Sequence, residues 1–170
     1  PLYSSAASDV YKRQVVVRAP WLNAAYLKSP GATETLWRGG YLHTGDVGHI
    51  DMAGNLMITD RMKDVIKSGG EWVSSLALES IASAVDGVAE VAAIGVPDPK
   101  WGERPLMLVV AATDGDPQDI SAGITTAITA AIGAGHLSKW AMPDEIRFVE
   151  AIARTSVGKI DKKVIRADLS

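Results

Sequence analysis

The chain of 170 residues contains no cysteine. Without thiols there is no disulfide framework, no thiolate metal site and no catalytic cysteine, which fits a reducing compartment. Histidine is scarce too: His43, His49 and His136 stand too far apart for metal-ligand spacing and read as isolated core or surface residues, so no metal ligands are expected here. No apolar run approaches the ~20 residues that a membrane-spanning helix requires. The longest, Leu106 to Ala112, suits a buried strand. A dominant charge is also missing, because 17 Lys and Arg against 20 Asp and Glu leave a net charge of -3. General attraction to nucleic acid or acidic membranes is thereby excluded. The start lacks the basic-then-apolar pattern of a secretory leader. No Gly-x-Ser-x-Gly elbow supports a serine hydrolase. What remains is 47% hydrophobic and 22% charged, the composition of globular material. The length can bury a core but is short for two complete domains.

Pro1 to Gln14 is rich in Ser and Ala and reads as foreign to the rest of the chain, so residues 1–14 are expected to be a non-native or disordered leader. Strands are predicted over Val15 to Arg18, Tyr41 to Ile50 and Asn55 to Thr59, with a hairpin signal at Asp51-Met52-Ala53-Gly54. Short helices are predicted over Asn23 to Lys28 and Ala32 to Trp37, split by Ser29-Pro30-Gly31. Beyond residue 60 the pattern becomes α+β. Ser74 or Ser75 can cap a helix with Leu78, Ile81, Ala82 and Val85 on one face, and Gly87 supplies its stop. Strands over Val88 to Val96 and Arg104 to Ala112 flank a Pro97-Asp98-Pro99 turn. Ile120, Ile124, Ile128 and Ile132 form the core-facing stripe of a helix from Gln118 to Ile132. A strand over Asp144 to Val149 and a helix over Lys162 to Leu169 complete the pattern, and no internal repeat is visible.

Three strings carry candidate chemistry, in fixed order: His43-Thr44-Gly45-Asp46, then Asp60-Arg61-Met62-Lys63-Asp64-Val65-Ile66-Lys67-Ser68-Gly69-Gly70, then Arg154-Thr155-Ser156-Val157-Gly158-Lys159-Ile160-Asp161-Lys162-Lys163. The last is not a Walker phosphate loop. That motif needs glycine where Ala153 stands and Ser or Thr where Ile160 stands. Taken together, the strings resemble the closing third of an adenylate-forming acyl-CoA synthetase, the superfamily shared with luciferases and peptide-synthetase adenylation domains. The resemblance covers roughly residues 15 to 168. Ser68-Gly69-Gly70-Glu71-Trp72, preceded by Lys67 and accompanied further along by Trp101-Gly102-Glu103-Arg104-Pro105, is most similar to the fatty-acyl and related small-acid CoA ligases. Ala153, Asp86-Gly87, Ala77 and Ser80 depart from residues common in the family, and none of them is a proposed catalytic group.

The resemblance implies an α+β fold: a small C-terminal lid domain of mixed sheet with flanking helices, preceded by a β-rich remnant of the large N-terminal domain. It places that remnant at 15–62, the lid at 63–170 and a hinge at Lys63. Lys159 takes the role of the lysine delivered to the α-phosphate of ATP, where charge accumulates as the carboxylate attacks. Asp46 would accept hydrogen bonds from the ribose hydroxyls, and Arg61 would contact the nucleotide ribose or phosphate. Lys67, Ser68, Gly69, Gly70, Glu71 and Trp72 would face the pantetheine arm of CoA in the second step, the glycines permitting close backbone approach. The substrates implied are a carboxylic acid, ATP and CoA, with Mg2+ accompanying ATP on ligands in an N-terminal domain outside this chain. A cytoplasmic location is expected. Two other readings remain open: a non-catalytic stand-alone lid-type module that binds CoA or a partner protein, and an amino-acid-activating adenylation domain, which the Ser68 to Trp72 string disfavours.

Overall fold

The computed structural model describes residues 13–169. The chain divides between Lys63 and Asp64 into two compact units.

The first unit is built on an antiparallel sheet of β1 (Arg13–Val17), β2 (Leu42–Ile50) and β3 (Leu56–Arg61), in the order β1-β2-β3. Val47 and Asp60 are buried partners across β2 and β3. The expected hairpin forms around Asp51, whose carboxylate accepts from the Ala53 and Asn55 backbone amides at 2.9 and 2.8 Å. Strand β1 starts earlier than expected, since Arg13 and Gln14 pair with Gly48 and Val47. The rest of the expected leader, residues 1–12, lies outside the described residues. The helix expected over Asn23 to Lys28 is absent. Lys28 takes a φ of 52°, a left-handed conformation no α-helix can propagate. The Tyr26 amide donates instead to Thr33 Oγ1 at 3.1 Å. Helix α1 (Pro30–Leu36) begins on the proline itself, where the missing N–H costs nothing.

The second unit has a five-stranded mixed sheet: β4 (Ile66–Ser68), β5 (Glu71–Val73), β6 (Val88–Asp98), β7 (Gly102–Ala111) and β8 (Glu145–Phe148). The antiparallel order is β5-β4-β7-β6, and β8 runs parallel to β7. Alternation along the strands sends neighbours to opposite faces. Val91, Ala93, Met107 and Val109 meet α2 (Ser75–Ser83) and α3 (Pro117–Gly133) on one side. Ala92, Ile94, Leu106 and Leu108 meet Ile152 and Ile165 on the other, where α4 (Lys162–Asp168) lies. The stripe on α3 is in place, with Ile120, Ile124 and Ile128 essentially solvent-free. Each such side chain contributes roughly 2 kcal/mol by burial.

Two expectations at the ends of β6 need correction. Helix α2 ends at Ser83, before Gly87, and Gly87 (φ 84°) instead shapes the turn into β6. Pro97 is not in a turn; it pairs with Glu103 inside the β6–β7 ladder. Because β6 is the edge of the sheet, the donor that proline lacks is not required there. The reversal falls later, where Asp98 Oδ1 accepts from the amides of Lys100 and Trp101 at 2.8 and 2.7 Å.

Candidate functional site

In the first unit Asp46 and Arg61 are directly opposed on β2 and β3. Arg61 Nε stands 3.1 Å from Asp46 Oδ1. The guanidinium side chain is 61% exposed and the carboxylate 28%, so both retain faces open to a ligand. The backbone holds this pair tightly. Gly45 takes a φ of 79°, the Met62 amide donates to Gly45 O at 2.8 Å, and the Asp46 amide donates to Thr44 Oγ1 at 3.1 Å. Buried Asp60 accepts from the Arg61 amide at 2.7 Å.

In the second unit, Lys67, Ser68, Gly69, Gly70, Glu71 and Trp72 form one hairpin. Ser68 pairs with Glu71 and Lys67 with Trp72, leaving Gly69 and Gly70 as a two-residue turn with φ of 60° and 82°. Two positive φ values in succession are what a tight β-hairpin of this twist requires. Lys67, Glu71 and Trp72 are exposed, whereas Ser68 is fully buried. The turn rests on tryptophans. Gly69 donates its amide to Trp101 O at 3.0 Å, and a Cβ at Gly69 would lie 2.3 Å from the Trp140 ring. The Trp101 and Trp140 rings pack 4.5 Å apart at 53°, with Lys100 and Lys139 near their faces.

Arg104 holds this assembly. Its Nη1 donates to Ser68 Oγ at 3.0 Å and to Trp140 O at 3.2 Å, its Nη2 to Met142 O at 2.9 Å, and its Nε to Asp144 Oδ1 at 2.9 Å. The hydrogen bond that Arg104 donates to Asp144 holds the guanidinium pKa above its already high ordinary value, outweighing burial. Arg104 was legible only as part of a family string, and Trp140 escaped the sequence reading. Its one signal is a large aromatic that follows polar Ser138 and Lys139 ahead of β8.

The packing predicts a contrast. Gly69→Ala adds ring overlap to left-handed strain and is expected to destabilise the second unit by roughly 3 kcal/mol. Gly70→Ala meets nothing within 4 Å and should cost about 1 kcal/mol through backbone strain alone. Urea unfolding of the two variants checks this, and equal losses would show that Trp140 does not constrain Gly69.

Lys159 is exposed on a loop that closes on itself. The Thr155 amide donates to Lys159 O at 2.7 Å, the Gly158 amide to Thr155 O at 2.9 Å, and the Lys159 amide to Thr155 Oγ1 at 3.2 Å. Arg154 and Ile160 bridge at its neck. Gly158 sits at φ 80°. Arg154 braces the loop from outside, giving Nη1 to Gly158 O at 2.6 Å and Nη2 to Glu90 on β6 at 2.9 Å. The result is an ammonium group on a flexible stem, presented by a short hairpin of defined backbone. Lys63 is exposed. Among the described residues no group of three or more His, Cys, Asp or Glu is placed to hold a metal ion. No helix of the described residues is long and apolar enough to cross a membrane.

The second unit thus combines a lysine-bearing hairpin, a small sheet covered on both faces and a two-glycine turn. Residues 77–159 match the AMP-binding enzyme C-terminal domain, and that segment of the chain belongs to this domain family. Along 157 residues it is 40% identical to the 3-methylmercaptopropionyl-CoA ligase of Ruegeria lacuscaerulensis, covering 92% of this chain and 28% of that protein. It is 41% identical over 157 residues to a long-chain-fatty-acid–CoA ligase of Mycobacterium tuberculosis, covering 92% of this chain and 30% of that one. Among solved structures, ATP-bound MatB from Rhodopseudomonas palustris superposes with a TM-score of 0.76 at 30% identity, over 96% of this chain and 31% of that one. The chain thus spans less than a third of the length of the proteins it matches.

Proposed function

We propose that this chain is the closing portion of an ATP-dependent fatty-acyl-CoA synthetase, acting in the cytoplasm on a medium- or long-chain acid. The carboxylate attacks the α-phosphate of ATP, giving acyl-AMP and pyrophosphate. The thiol of CoA then attacks the acyl carbon, giving acyl-CoA and AMP. The observation that carries this reading is Lys159, exposed on its self-closed hairpin at the end of the family-matched segment. Its ammonium group suits the first step, in which negative charge gathers on the phosphoryl oxygens and a positioned cation stabilises it. The Asp46 carboxylate would accept the ribose hydroxyls, with Arg61, 3.1 Å away, orienting it and reaching the nucleotide. The Lys67 to Trp72 hairpin would flank the pantetheine arm in the second step, its Gly69-Gly70 turn presenting backbone without side chains. Lys63 would be the pivot between the two steps. Magnesium would enter with ATP and be held by ligands outside the described residues. The fatty-acid assignment is supported by the long-chain ligase among the relatives and by the Ser68 to Trp72 string.

The 170-residue chain alone is expected to make no acyl-CoA from ATP, CoA and fatty acids, because it spans 30% of the long-chain ligase it matches and the acyl pocket and triphosphate cradle are assigned to the rest. Joined at Val15 to the upstream part of the long-chain ligase from Mycobacterium tuberculosis, it is expected to turn over. Thioester formation measured on both proteins is the test. Turnover by the chain alone would overturn the fragment reading. A folded but inactive joined protein that still binds CoA would favour the non-catalytic module.

A further inference from the structure

Lys162 is a buried cation that the proposed chemistry leaves unused. It is 9% exposed, and it occupies the first position of α4, where the helix dipole disfavours positive charge. Its Nζ lies 2.7 Å from Glu79 Oε1 and donates to Ser75 Oγ at 2.7 Å. Both partners are on α2, the helix that covers the opposite face of the sheet. The two faces communicate at the β6 edge, where the same Glu79 Oε1 accepts the Ala93 amide at 2.8 Å. A carboxylate from one layer therefore closes the open edge of β6 and receives a lysine from the other layer. Three residues before that lysine stands Lys159, and the intervening Asp161 amide returns to Ala153 O at 2.8 Å.

We infer that Lys162 is a positioning residue for the adenylation step: clamped by Glu79 and Ser75 around the β6 edge, it fixes the root of the Lys159 hairpin. The inference rests on the reading of Lys159 as the adenylation lysine. The other brace, Arg154 to Glu90, is 45% and 37% exposed, and solvent-exposed pairs hold little. The Lys162 clamp is shielded from water, and the loop inherits its rigidity.

Removing Lys162 alone would strand a buried carboxylate and confuse loss of fold with loss of position. The double variant Lys162→Met/Glu79→Gln removes both charges together and is the informative one. In the 170-residue chain its thermal midpoint and the hydrogen exchange of the β6–β7 amides are expected to stay close to the parent's. The Thr155 and Asp161 amides should exchange about tenfold faster, the worth of a hydrogen bond to a charged group. In the joined enzyme, kcat for acid-dependent pyrophosphate exchange should fall by about the same factor with KM for ATP unchanged, while Lys162→Arg restores it. Parent-like loop exchange together with parent-like kcat would overturn the assignment. So would equal acceleration of the β6–β7 amides, which would make the clamp purely structural. Lys159→Ala in the same enzyme separates the two readings. Full activity there would remove the proposed role of Lys159, and the loop-exchange result would stand unaffected.

Discussion

Lys159→Ala in the joined enzyme is expected to slow acid-dependent pyrophosphate exchange by about a hundred- to a thousandfold, the usual loss when one preorganised charge-stabilising group is removed from a transition state. Thioester formation from preformed acyl-AMP should fall far less, because no charge develops on phosphorus in that step in a way that needs this cation. The exposure of Lys159 and the self-contained bonding of its hairpin make the experiment clean. The ammonium group supports no other side chain through any described hydrogen bond or ion pair, and the Thr155–Lys159 backbone bonds survive the substitution. Stability should therefore be unchanged. Equal losses in the two half-reactions would remove Lys159 from its assigned role and place it in general binding instead.

Lys63→Pro is expected to uncouple the two half-reactions in the opposite sense. The residues on either side are each tied into their own unit: the Met62 amide to Gly45 O at 2.8 Å, and the Asp64 carboxylate to Arg166 at 3.3 Å. Rotation between the units would then be taken up at exposed Lys63. Proline fixes φ at that position and restricts its predecessor, so one of the two orientations is lost. Forcing proline into a conformation it resists costs about 3 kcal/mol, roughly a hundredfold in rate. If the adenylation orientation is the one kept, acyl-AMP accumulates while thioester formation drops by that factor. Normal overall turnover would show that the pivot lies elsewhere.

Much of the second unit could be read from local pattern. The stripe on α3 and the apolar run of β7 are signals in which periodicity and burial agree, so Ile120, Ile124 and Ile128 are found where the sequence places them. The motif residues were legible as well, since a Gly-Lys turn and a Gly-Gly hairpin announce themselves in a few adjacent letters. What local reading missed depends on neighbours distant in sequence. Asn23 to Lys28 has helical composition, yet the segment turns out at Lys28 and binds Thr33 instead. Pro97 looked like a turn because its place on an edge strand is a property of the whole sheet. Gly69 was identified as a point of close approach, but the group that approaches it within the chain, Trp140, lies some seventy positions away. Glu79 and Lys162 are two ordinary surface letters until the sheet brings them together around its rim.

The fork at Arg104 has a consequence for how relatives of this chain can drift. One planar group satisfies a hydroxyl, two carbonyls and a carboxylate that come from four separate stations along the backbone, at Ser68, Trp140, Met142 and Asp144. Lysine carries the same charge but offers a single tetrahedral nitrogen, which cannot point along the divergent directions of a guanidinium. A substitution that scores as mild by charge would leave the buried Ser68 hydroxyl and two half-buried carbonyls short of donors, and the hairpin turn would lose its seat against the tryptophan ring. Of the four stations only Met142 is free to change side-chain identity, since its backbone carbonyl is the acceptor; Trp140 also accepts through its carbonyl but is held by the ring that seats Gly69. The arginine itself has no such latitude.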